Sequence, residues 1–83
     1  MQKRKITIAS DIASDPAFIA KLVQAANEFD SKVYLECNEK CLNAKSIMGM
    51  MSLRVNTGDK IDIIADGQDE GRAIEKIEEF LRA

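Results

Sequence analysis

The chain has 83 residues, twelve of them Lys or Arg and fourteen Asp or Glu, for a formal net charge of −2, and 46% of the residues are apolar. That is the length of one small domain over 1–83, with an ordinary globular composition. Basic and acidic residues are interspersed, without the clustered basic excess of a nucleic-acid binder, so direct contact with DNA or RNA is not expected. No apolar run approaches the roughly 20 residues of a membrane span. The opening Met1-Gln-Lys-Arg-Lys-Ile-Thr-Ile lacks the apolar core and cleavage site of a secretory signal, and a cytoplasmic location is expected. There is no histidine, which removes the usual general base, metal ligand and phosphoryl-carrying imidazole.

Residues 5–9 alternate, with Ile6 and Ile8 on one face and Lys5 and Thr7 on the other, the pattern of a half-buried strand. A polar stretch from Ser10 leads to Asp15, which precedes Pro16 as an N-cap precedes a first helical residue. Phe18, Ile19, Leu22, Val23 and Ala26 then mark one helical face, ending near Asn27–Phe29. Asp30 and Ser31 turn the chain. Val33, Leu35 and Cys37 alternate with Lys32, Tyr34 and Glu36 as a second strand. Asn38-Glu39 is a plausible tight turn into a third strand around 40–43, although Glu suits a positive φ less well than Gly and a looser turn is an alternative.

Ser46 is placed to cap a short helix over 47–53, in which Gly49 costs up to about 1 kcal/mol and calls for tertiary support. Asn56 to Asp59 is a loop. Ile61, Ile63 and Ala65 alternate with Asp62, Ile64 and Asp66 as a fourth strand, broken by Gly67. A last helix opens near Gln68-Asp69-Glu70 and turns Ala73, Ile74, Ile77, Phe80 and Leu81 inward. Acids at its start and Arg82 at its end suit the macrodipole. The order β-α-β-β-α-β-α predicts an α+β fold with helices packed on one face of an antiparallel sheet. Cys37 and Cys41 have no further Cys or His partners for a zinc site, and read as reduced, small apolar fillers. Neither a metal site nor a cofactor is expected.

Val23-Gln24, Phe29-Asp30-Ser31, Val33, Leu35-Glu36, Asn38 and above all Lys45-Ser-Ile-Met-Gly-Met-Met-Ser-Leu53 resemble the HPr family. These are the small phosphocarrier proteins of the bacterial sugar phosphotransferase system. Ala65-Asp-Gly67 and Asp69-Glu70 continue the likeness, which covers nearly the whole chain. It implies an open-faced β-sandwich with four antiparallel strands and three helices on one side. It also implies two phosphorylation sites. The first is a histidine at the start of the first helix, which receives phosphate from enzyme I. Aligned without gaps from Val23, that position holds Asp15 and the family's arginine position holds Ala17. The family's histidine relay is therefore not available to this chain.

The second site is the serine of Lys-Ser-Ile-Met-Gly, here Ser46, the substrate of HPr kinase/phosphorylase. In the family, apolar residues beside it contact partner proteins, which nominates Ile47, Met48 and Met51, with Lys45 as a further contact and Lys45 and Lys40 as nearby positive charge. The pattern resembles the histidine-lacking catabolite-repression members, which implies a non-catalytic regulatory protein whose phosphorylated Ser46 promotes binding to a catabolite control transcription factor. Taken alone, Ser46 is an ordinary N-cap and the Ile47-Met48-Met51 stripe an ordinary core face. Asp15 is open to three readings: a helix cap, a fixed charge imitating a phosphorylated histidine in a constitutive docking module, or a phospho-accepting aspartate. Arg54, beside the partner surface, has no physical account.

Overall fold

The computed structural model describes residues 1–8, 16–37, 39–51 and 58–82. Its elements run β1 (Gln2–Thr7), α1 (Pro16–Ala26), β2 (Lys32–Cys37), β3 (Lys40–Asn43), α2 (Ile47–Met50), β4 (Lys60–Asp66) and α3 (Glu70–Arg82). The strands form one sheet in the order β1-β4-β2-β3, and every neighbouring pair is antiparallel. Helices cover one face. This is the α+β open-faced sandwich expected of the sequence.

Alternation decides which side chains meet the helices. Val33, Leu35 and Cys37 of β2 and Ile61, Ile63 and Ala65 of β4 are buried, while Lys32 and Asp66 on the other face are exposed. From α1 come Ile19, Leu22, Val23, Ala25 and Ala26, and from α3 Ala73, Ile74, Ile77 and Leu81. Phe18 and Phe80 lie half-buried at the rim, edge to face with centroids 6.0 Å apart. Such a pair adds about 0.5–1.5 kcal/mol beyond area burial.

Two details depart from the expectation, at β1 and at Cys41, and a third, at Glu39, settles an alternative. β1 occupies Gln2–Thr7 rather than 5–9. It is an edge strand whose inward face begins with Gln2 and Arg4, so apolar alternation does not mark its start. Arg4 instead reaches Glu78 of α3, with Nη1 2.7 Å from Oε1. Glu39 takes φ 69° in the link between Cys37 and Lys40, which pair directly across it, so the chain accepts a left-handed Glu rather than loosening the turn. Cys37 is a buried filler whose thiol pKa is pushed up by burial. Cys41, paired with Glu36 on the open face, is exposed and fills nothing.

The turn after α1 is tied to the start of α3. Asp69 accepts hydrogen bonds from the backbone N–H groups of Asp30 and Ser31, both at 2.9 Å, and from the hydroxyl of Ser31. Its carbonyl accepts from Ala73 N at 3.0 Å, the first bond of α3, so Asp69 starts the helix with its backbone and anchors a distant turn with its side chain. Beside it, a Cβ at Gly67 would lie 2.6 Å from Ser31 Cα, closer than real contacts allow. Only glycine fits there.

The Ser31 hydroxyl first, and then the Asp30 N–H, hold the Asp69 carboxyl at a pKa of about 2, against an ordinary 3.8. A depressed carboxylate stabilises the fold above its unfolded pKa and loses that contribution as the pH falls toward the folded one. Asp69→Asn should therefore unfold at lower urea than wild type at pH 7, and the gap should close as the pH falls from 3.8 to about 2. A gap independent of pH would show that the charge plays no part. Gly67→Ala should cost about 1–3 kcal/mol by overpacking, read from the same urea curves.

Candidate functional site

Of the residues nominated by sequence, Lys45, Ser46, Ile47, Met48 and Met51 lie where β3 hands over to α2. Asn43 starts the turn: its Oδ1 accepts from Lys45 N at 2.9 Å and its carbonyl from Ser46 N at 3.0 Å. An Asn side chain closing on a backbone N–H two residues ahead is a common turn former. Ser46 then takes extended backbone angles (φ −105°, ψ 116°) and its Oγ accepts from Gly49 N at 3.3 Å, the geometry of an N-cap. The hydroxyl is half-buried and keeps its own proton to donate.

The helix is shorter than the sequence suggests. It runs Ile47–Met50 with Met51 as its C-cap, and the rest of the predicted 47–53 segment lies outside the described residues. One turn cannot hold itself. Met50, fully buried, pins it to the core. The other apolar side chains face away: Ile47 is 50% exposed, Met48 83% and Met51 48%. The nominated stripe is thus outside the core, and Met50, which sequence reasoning passed over, takes the core role. Four residues offer too short a window for periodicity to separate Met48 from Met50.

Lys45 is half-buried, and its ammonium donates to the Phe29 carbonyl at 2.6 Å. Asn27 Nδ2 donates to the Val23 carbonyl at 2.9 Å and to the Lys45 carbonyl at 3.2 Å. Lys45 and Asn27 therefore clasp the end of α1 to the start of α2, a pairing with no local sequence signal. Lys40 stands at the far end of β3, paired with Cys37. Ala17 lies exposed in the first turn of α1. Asp15 and Arg54 lie outside the described residues. Among the described residues no cluster of Cys, Asp and Glu could hold a metal ion, and no helix is long and apolar enough to cross a membrane. The arrangement offers one hydroxyl, rigidly placed, beside exposed apolar atoms.

The family described as "PTS HPr component phosphorylation site" matches residues 2–83. The chain belongs to the HPr family. Within the family it is Crh-like: it is 44% identical over 81 residues to the HPr-like protein Crh of Bacillus subtilis, covering 98% of this chain and 93% of that one. The fold agrees with HPr from Bacillus anthracis at TM-score 0.85 and 34% identity, covering 98% of this chain and 96% of the other. The solution structure of Crh, the catabolite repression HPr of Bacillus subtilis, agrees at TM-score 0.73 and 41% identity, covering 98% and 96%. Proteins of the HPr family are phosphocarriers and regulators of the phosphotransferase system rather than enzymes acting on a small substrate.

The two neighbouring methionines should separate cleanly on truncation. Met50→Ala should cost about 2–5 kcal/mol of unfolding free energy, as buried Met truncations do, whereas Met48→Ala should stay within about 0.5 kcal/mol. Equal losses in urea denaturation would mean that Met48 belongs to the core.

Proposed function

We propose that the chain works as a single HPr-like regulatory domain of carbon catabolite control, phosphorylated on Ser46 by HPr kinase/phosphorylase and acting in the cytoplasm by binding proteins. The observation that carries this reading is the pairing of the half-buried Ser46, whose hydroxyl caps the turn, with the exposed Ile47, Met48 and Met51 on one turn of helix. Phosphate on Ser46 adds between about 1.5 and 2 negative charges and three acceptor oxygens at the edge of that apolar surface. A partner that pairs the phosphate with basic side chains and covers the methionines then distinguishes the two states. Methionine suits such a surface, since its unbranched chain repacks against different partners. A catabolite control transcription factor fits the Crh-like character, and Lys45 lies at the margin of the contact. With no histidine in the chain, relay of phosphate from enzyme I to a permease is not part of this function.

Intact mass after incubation with HPr kinase/phosphorylase, ATP and Mg²⁺ tests the reading. One phosphoryl group should appear on the wild type and none on Ser46→Ala. The phosphorylated form should then bind the transcription factor at least about tenfold more tightly than the unmodified one, a coupling of about 1.4 kcal/mol. No added mass, while authentic HPr labels in the same tube, would reject the serine switch. A constitutive docking module, indifferent to Ser46→Ala, would then take its place.

A further inference from the structure

Gly49 has no role that the fold itself demands. Its backbone is not among the described positive-φ glycines, which are Gly58 and Gly67. A Cβ built on it would meet the Asn43 carbonyl, Ser46 Cβ and Ser46 Oγ, each at 3.7 Å, which is ordinary van der Waals contact. Alanine would therefore fit and would favour the helix more than glycine does. Yet glycine stands in a helix of four residues that can least spare helix propensity. The position differs in this from Gly67, where a Cβ collides with backbone.

What a side chain at 49 would change is the space over the Ser46 hydroxyl. The Gly49 N–H donates to Ser46 Oγ at 3.3 Å, so the hydroxyl leans across residue 49. We propose that Gly49 is a specificity-determining residue for phosphoryl transfer to Ser46, its missing Cβ leaving open the flank of the hydroxyl that the phosphoryl group must occupy. The inference rests on the Ser46 reading above. In the transfer, Ser46 Oγ attacks the γ-phosphorus of a nucleoside triphosphate held by the kinase. The Oγ–P bond forms as the bond to the β–γ bridging oxygen breaks, nucleoside diphosphate leaves, and the hydroxyl proton passes to a base on the kinase. A methyl group in contact with Oγ tolerates a hydroxyl hydrogen. It excludes the phosphoryl rotamers that lie over residue 49, and it blocks the in-line approach on that side.

The test compares wild type and Gly49→Ala as substrates of HPr kinase/phosphorylase and ATP, alongside their melting temperatures. The variant should melt at or above the wild-type temperature, while kcat for its phosphorylation falls about tenfold or more, because small misplacements of reacting atoms are costly, and KM for the protein substrate changes little. A wild-type kcat in the variant overturns the inference. So does a rise in KM alone, which would make the glycine a docking feature, and so does a lowered melting temperature, which would make it a requirement of the fold. A wild type that takes no phosphate at all rejects the Ser46 reading itself, an outcome distinct from the other three.

Discussion

The turn Phe29-Asp30-Ser31 is held from two sides, and the placement of α2 and its exposed apolar face follows from it. On one side the Asp69 carboxylate takes the N–H groups of Asp30 and Ser31 and the Ser31 hydroxyl. On the other, the Phe29 carbonyl takes the Lys45 ammonium. The first contact fixes the end of α1 against the junction of β4 and α3. The second passes that position on to the residue before Ser46. A carboxylate accepting charge-assisted bonds is stronger than a neutral acceptor and more directional than an ion pair. It also satisfies the backbone N–H of Ser31, a residue buried against Gly67 with little room for water. The ion pairs on the open face contrast with this: Lys3 lies 3.8 Å from both Glu36 and Asp62, its own side chain exposed to water, where such pairs contribute little.

Rigid placement matters because α2 is too short to be stable alone. Helix formation needs a nucleus, and one turn repays little of that cost. Its order is supplied from outside, by the Asn43 turn before it, the Asn27–Lys45 clasp beside it and Met50 beneath it. A segment held this way need not bury its remaining apolar side chains. Ile47, Met48 and Met51 stay exposed, and on the proposed reading they would supply the apolar area of a partner contact.

The parts of this architecture that were legible in the sequence are those governed by local period. The alternation in β2 and β4 presents the predicted residues to the core, and the stripes of α1 and α3 do so except that Ala25 is also buried and Phe18 and Phe80 stay at the rim. β1 was half legible, because an edge strand that spends an inward position on Arg4 to reach Glu78 carries no apolar signal there. The junction was legible only as pieces. Both Phe29-Asp30-Ser31 and Asp69-Glu70 belong to the resemblance, but 38 residues separate Ser31 from Asp69, and no periodicity joins them. Ser46 and its apolar neighbours came from the family motif. That the hydroxyl caps its own helix was a local inference; that Lys45 is engaged with Phe29 and Met50 carries the packing was not, since both depend on α1 and the core lying underneath.

A protein that is acted upon places different demands on its fold than an enzyme does. On the proposed reading it needs no perturbed acid or base, because a kinase would supply the chemistry. It needs its acceptor group to be presented in one geometry and to remain open. These requirements conflict at Ser46, where the cap that orders α2 uses the same oxygen that would receive phosphate. The conflict is eased because accepting from Gly49 N uses one lone pair of Oγ and leaves its other lone pair and its proton for a further partner. Modification then does not have to break the structure that presents the hydroxyl. A phosphoserine that kept its ester oxygen in the cap would add its charge outside it, and the proposed signal would then be a change of surface on a fixed frame rather than a refolding of the segment. The clasp through Asn27 and Lys45 and the anchored turn behind it are what keep that frame fixed.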